Sequence, residues 1–176
     1  MEALYLESAR KRFAEEKVLG DKTLDQLSGL QLLWQPNDAS NSIALIIQHL
    51  HGNMRSRWTN FLTEDGEKEW RERDAEFAPR ELPAEAVRAL WEEGWSVLFT
   101  ALDSLQPSDL GRDVHIRSQP LTVVDAINRQ LAHYSYHVGQ IVFLGKWLRA
   151  DAWSSLSIPR GHSRQFTEQL KSGSPQ

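Results

Sequence analysis

Apolar residues recur every three to four positions along most of this chain, and strict alternation is scarce, so the pattern predicts a nearly all-helical protein. A first helix is expected over about Glu2 to Leu30, loosened at Gly20 and ending before Trp34-Gln35-Pro36-Asn37. Asn41 or Ser42 can cap a second helix running to about Phe61, because either side chain accepts from the free N–H groups of a first turn. A third follows Leu82-Pro83, with proline suited to the first helical position, and reaches about Leu105. The fourth starts near Leu121, where Thr122-Val-Val-Asp125 resembles a capping box with Asp in place of Glu, and continues to about Ala150. The segment SIPRGHSRQFTEQL can form a short fifth helix, and KSGSPQ, residues 171–176, reads as a frayed tail.

The connections refine this picture. About ten residues join the first two helices and about fifteen join the third to the fourth. Between the second and third lies TEDGEKEWRERDAEFAPREL, a charged link of about twenty residues. Short links suit antiparallel neighbours, and a long one can run the length of a bundle and leave its flanking helices parallel. The expected architecture is therefore an all-α four-helix bundle, up-down-down-up, with a long crossover between helices 2 and 3. One domain should span residues 1–176, a length sufficient for a sizeable core.

Composition narrows the chemistry. The net charge of −4 argues against nucleic acid as a partner. Without cysteine there is no disulfide, thiolate ligand or cysteine nucleophile, so any metal must sit on nitrogen and oxygen. No run approaches the roughly 18 apolar residues of a membrane span, and the charged N-terminus lacks a signal peptide's apolar core. A cytoplasmic protein is the expectation.

Two windows break the charge pattern. ASNSIALIIQHLHGNM (39–54) and QLAHYSYHVGQIVFLG (130–145) contain no Asp, Glu, Lys or Arg in a chain that is 25 % charged. A helix uncharged on every face is normally buried over most of its circumference, so helices 2 and 4 should form the bundle's inner wall. They carry His49, His51, His133 and His137, four of the six histidines; His115 and His162 fall in expected loops. On a helical projection His133, His137, Gln130, Gln140 and Ala126 share an arc of about 80°, opposite Val124, Ile127, Leu131, Val138 and Val142. His49 shares a similar polar arc with Ser42, Asn53, Ser56 and Asn60, opposite Ile43, Ile47, Leu50, Met54 and Trp58. His51 borders the apolar side and reads as a packing residue or a rim hydrogen-bonder.

If the two polar arcs face each other, His49, His133 and His137 converge. Imidazole is the commonest ligand of zinc, nickel and related divalent metals, and three nitrogens leave coordination positions open. Paired histidines in a satisfied polar core, with Tyr134 and Tyr136 as partners, are the alternative. Gln140, one turn beyond His137, could orient a ligand or instead make an ordinary helix–helix hydrogen bond. Arg71 and Arg73 in the crossover and Arg160 in SIPRGHS could meet a carboxylate on a cosubstrate, although charged loops are more often solvated. Trp91 and Trp95, four apart, read as core.

Gln48-His49-Leu50 followed by the His133-x3-His137 pair resembles the DinB-like superfamily of damage-inducible proteins, which includes the YfiT-like metal-dependent enzymes. NSIALIIQHLHGNMRSRWTNFLTEDGEKEWRERDAEF, INRQLAHYSYHVGQIVFLGKWL and SLSIPRGHS resemble a bacterial subfamily of unassigned reaction, over about Asn41 to Ser163. The resemblance implies an up-down-down-up bundle with a divalent metal, often zinc or nickel, on His49, His133 and His137 at one end of a cleft. It implies frequent homodimers, and chemistry such as S-transfer with bacillithiol or isomerisation with mycothiol. The expected function is a metal-dependent thiol S-transferase, which takes a small-molecule thiol and an electrophilic co-substrate. A metal-dependent hydrolase and a non-enzymatic metal-binding or stress-response interaction module are the alternatives.

Overall fold

Helices dominate the computed structural model, which describes residues 1–78, 80 and 82–173. In chain order they are α1 (Glu2–Leu24), α2 (Gly29–Leu33), α3 (Ile43–Trp58), α4 (Ala84–Ser104), α5 (Val123–Arg149) and α6 (Ser163–Lys171). Between α4 and α5 lie two short strands, β1 (Asp113–Ile116) and β2 (Gln119–Thr122). No helix among the described residues is long and apolar enough to cross a membrane.

The expected first helix is two helices, and the break is not at Gly20. Ser28 starts a new one: the Gln31 N–H donates to Ser28 Oγ at 3.4 Å and the Ser28 N–H to Gln31 Oε1 at 2.9 Å, a complete capping box. Gly20 stays helical for a packing reason. The Trp91 ring of α4 lies where a Cβ at residue 20 would be, and its Nε1 donates to Asp21 Oδ1 at 2.7 Å.

α3 begins as its sequence requires, with the Leu45 N–H donating to Ser42 Oγ at 3.2 Å. It stops at Trp58, short of Phe61, and Asn60 takes a left-handed backbone with φ 51° that no helix continues. Thirteen of its sixteen residues are buried, so it is enclosed on nearly every face. α4 lies against it, burying Val87, Trp91, Trp95, Leu98 and Leu102 along one stripe. α5 packs on both α1 and α3. The core centres on Phe13, Trp58, Trp95 and Tyr134, whose rings meet edge-on or tilted at 5.9–6.1 Å. Trp58 Nε1 donates to the Tyr134 hydroxyl at 3.0 Å, which donates in turn to Asn53 Oδ1 at 3.0 Å.

The link between α4 and α5 is not the plain loop the sequence indicated. β1 and β2 pair antiparallel from Asp113↔Thr122 to Ile116↔Gln119, burying Val114 and Ile116. Arg117 and Ser118 make the turn with φ of 55° and 60°, the left-handed pair that a two-residue hairpin needs. Neither is Gly or Asn, which is why the turn was not legible. The conformation is held from outside: Asp65 of the crossover accepts from the Arg117 N–H at 2.8 Å and the Ser118 N–H at 2.7 Å.

The crossover is also not a solvated loop. Lys68 and Arg71 are buried, and the segment lies along α3. Ser56 Oγ donates to Gly66 O at 2.6 Å, Arg57 also donates to that carbonyl, and Arg57 Nη2 reaches Glu67 Oε2 at 2.9 Å. Its last turn, a 3-10 segment at Asp74–Phe77, packs on α3. Pro83 stands just before α4, at the cap, instead of in its first turn. α6 covers Ser163–Lys171, where a short fifth helix was expected, and residues 174–176 of the expected frayed tail lie outside the described residues.

Candidate metal centre

The expected convergence is found. His49 of α3 and His133 and His137 of α5 bring one ring nitrogen each to within 4.8 Å of one another, and no other such group occurs among the described residues. His49 Nε2 stands 3.2 Å from His133 Nε2, and His137 Nε2 stands 3.1 Å from it. His49 and His137 are buried, and His133 is half-buried.

The opposite nitrogens show which way the rings are set. His49 Nδ1 lies 2.8 Å from Glu76 Oε2, and His137 Nδ1 lies 2.8 Å from Gln140 Oε1. Both partners are oxygen acceptors, so each Nδ1 carries the proton and each Nε2 turns a lone pair inward. Burial, then His137 and His49 beside it, then Arg57 and Arg71, lower the His133 pKa to about 3. Burial lowers His137 to about 4, outweighing the bond to Gln140 that favours its proton, and His49 adds to the lowering. Both rings are therefore neutral at pH 7, the form in which imidazole binds a metal.

His133 Nε2 faces both of the other Nε2 atoms. A proton on it can bridge to a neighbour, whereas one cation can serve all three nitrogens. With metal–nitrogen bonds of about 2.05 Å, neighbouring ligand nitrogens stand about 3.3 Å apart in a tetrahedron and about 2.9 Å apart in an octahedron. The 3.1 and 3.2 Å separations of His133 from its two neighbours lie between these values, and all three ligand atoms stand within 4.8 Å of one another, an arrangement compatible with a divalent metal.

The crossover completes the surroundings, which the sequence reading missed. Glu76 holds His49 with one oxygen, while Arg71 Nε donates to its Oε1 at 2.8 Å and Arg71 Nη2 to its Oε2 at 3.0 Å. The Glu76 side chain is 10 % exposed and that of Arg71 2 %. Burial pushes the Glu76 carboxyl up, but the hydrogen bonds from His49 and Arg71 outweigh it and hold the group below the usual carboxylate range. Phe77 stacks on the His49 ring, centroids 4.7 Å apart. Gly52, one turn after His49, makes room, since a Cβ there would collide with the Glu76 carboxylate. A histidine ligand normally donates its second N–H to such a carboxylate, which was the available signal. It could not choose among Glu64, Asp65, Glu67, Glu69, Glu72, Asp74, Glu76 and Glu81, all in the same link.

The remaining candidates fall elsewhere. His51 turns to α4, with Nε2 3.1 Å from Glu93 Oε2, and burial lowers its pKa. His115 lies in β1 and His162 at the start of α6. Arg71 faces Glu76 and Glu67 inside the protein. Arg73 is half-exposed over the Phe77 ring, 5.3 Å from its centroid, with Nη1 3.8 Å from Asp74 Oδ1. Arg160 lies in the exposed turn before α6, without an ion pair among the described residues.

Fold and site together define a predominantly helical protein with a largely buried three-histidine cluster on two facing helices. The chain belongs to the family described as "Protein of unknown function (DUF1572)", whose model matches residues 1–162. No curated protein matches it.

Proposed function

We propose that this protein is a DinB-like, metal-dependent thiol S-transferase whose divalent ion, zinc or nickel, is held by His49, His133 and His137. The observation that carries the reading is the meeting of three Nε2 atoms, with His133 Nε2 3.2 and 3.1 Å from those of His49 and His137, whose rings are fixed by Nδ1–H bonds to Glu76 and Gln140. In this reading α1, α3, α4 and α5 are the four helices of an up-down-down-up bundle, and the crossover is the arm that brings Glu76 to His49. A bound ion would supply Lewis acidity that lowers the pKa of a low-molecular-weight thiol and makes it nucleophilic at neutral pH.

The chain's own residues do the rest. Glu76 fixes the tautomer and tilt of His49, and Arg71 anchors Glu76 by a two-pronged ion pair. Gln140 does the same for His137 through a neutral bond. Lacking cysteine, the protein takes its sulfur from the cosubstrate. Arg71 is committed to Glu76, so Arg73, exposed beside Phe77, is the better candidate to meet a thiol's carboxylate, with Arg160 as a second. Homodimerisation and a cytoplasmic location belong to the same reading.

The test is turnover. Zinc- or nickel-loaded protein, given a panel of small thiols and 1-chloro-2,4-dinitrobenzene, should form the thioether and release chloride and a proton. That activity should need both thiol and metal and vanish in His133→Ala/His137→Ala. A protein that binds metal yet shows no thiol-dependent turnover with any electrophile supplied would be a metal-binding module instead.

A further inference from the structure

α5 carries a second surface that the metal reading leaves unused. Tyr136, Phe143 and Trp147 are 62, 61 and 60 % exposed, although they are large and aromatic. At positions i, i+7 and i+11 they line one side of the helix, beside the histidine arc. They form one wall of a cleft of about 770 Å³ whose floor includes Ile46 and Leu144. The facing wall is the 36–41 loop, which presents Asn37, Ser40 and Asn41. That loop is already set: Asn37 Oδ1 accepts from the Ala39 N–H and the Ser40 hydroxyl, each at 3.0 Å, and Gln35 Nε2 donates to Ser40 O at 2.7 Å.

The cleft joins the histidine cluster at two points. Gln140 lines it and also holds His137 Nδ1, and the Tyr136 ring centroid lies 4.8 Å from that of His137. Among the described residues, no Asp, Glu, Lys, Arg or His lines it. Its volume falls within the roughly 300–1,000 Å³ of small-molecule sites. Apolar rings on one side and neutral amides and a hydroxyl on the other suit a flat molecule with polar but uncharged substituents. A charged ligand would lose its hydration there without gaining a partner.

We propose that the cleft between α5 and the 36–41 loop binds an uncharged, planar aromatic small molecule, the electrophilic co-substrate, with one of the two mutually perpendicular rings of Trp147 and Phe143 against its face, the other against its edge, and Gln140 at its reactive end. This deepens the thiol-transferase reading and rests on it for the word electrophilic; the binding itself does not need the metal.

The experiment uses two fluorescent probes with the same rings, neutral N-phenyl-1-naphthylamine and its sulfonated relative 8-anilinonaphthalene-1-sulfonate. The neutral probe should bind saturably, at least about tenfold more tightly than the anion. Trp147→Ala and Phe143→Ala should each weaken it about tenfold, as loss of a face-on or edge-on aromatic contact does. Trp70→Ala, an exposed tryptophan on the crossover, should leave it unchanged. Absence of saturable binding, equal affinity for both probes, or indifference to Trp147→Ala would overturn the proposal. So would sedimentation showing that Trp147→Ala splits a dimer, because the face would then be a contact between two copies. If the neutral probe binds but no metal is taken up, the cleft stands and the transferase reading falls.

Discussion

The two uncharged windows look alike as sequence and differ as structure. Residues 39–54 supply most of α3, which is enclosed by α4, α5 and the crossover and buries nearly every side chain. Residues 130–145 lie within α5, which buries Ala126, Gln130, Tyr134, His137, Val138 and Ile141 on one side and leaves Tyr136 and Phe143 in solvent. Missing charge therefore has two physical causes. Along residues 43–50 of α3 a charge would find almost no water. In α5 half the circumference is wet, yet the exposed side still carries rings in place of lysine or glutamate, which marks a surface with something to bind.

The largest expected effect comes from testing the enclosure itself. Leu50→Ala in α3 should lower unfolding free energy by about 2–5 kcal/mol, whereas Phe143→Ala on the outer side of α5 should change it by less than about 1 kcal/mol. Urea denaturation of the two variants measures both. Similar losses would mean that the outer side of α5 is buried in solution.

Next comes acid sensitivity, which should belong to the histidine-bearing side of α5. His133 and His137 titrate near about 3 and about 4 in the folded protein and near the ordinary 6.5 when unfolded. Between these values the unfolded chain holds more protons, so stability of the metal-free protein falls as pH drops below about 6.5 and levels off, for these two groups, near their folded values. Denaturation midpoints across that window should slope less steeply in His133→Ala/His137→Ala. An unchanged slope would mean that neither ring is held neutral.

A smaller effect separates helix stability from site geometry within α3. Gly52→Ala removes a poor helix former, which alone favours the helix by up to about 1 kcal/mol. Its new Cβ must push Glu76 away from His49, so metal affinity should drop about tenfold, the usual cost of losing such a support. Calorimetric titration with zinc gives the affinity. A variant that binds zinc as well as the parent would show that Glu76 does not orient His49. Smallest of all, Ser42→Ala and Thr122→Ala each delete the cap of one window's helix and should cost about 1 kcal/mol apiece, read by thermal denaturation.

Much of this was written in the residues in readable form. Long apolar periods, the Ser42 and Thr122 caps and the Pro83 boundary located α3, α4 and α5 to within a few residues, because short-range rules govern them. The polar arcs led to His49, His133 and His137 for the same reason. What stayed hidden depended on distant contacts. The Arg117-Ser118 turn is left-handed because Asp65, fifty-odd residues earlier, accepts both its N–H groups. Glu76 was one acid among eight until the crossover folded onto α3. Gly20 looked like a weak point and is a seat for Trp91.

The most direct measurement is equilibrium dialysis of the purified chain against micromolar nickel or zinc, beside His133→Ala/His137→Ala, with metal counted by mass spectrometry. Three imidazoles sharing one centre predict a single tightly retained ion per chain that the double variant loses. Equal, negligible retention by both proteins would mean that those nitrogens meet for some purpose other than holding a cation.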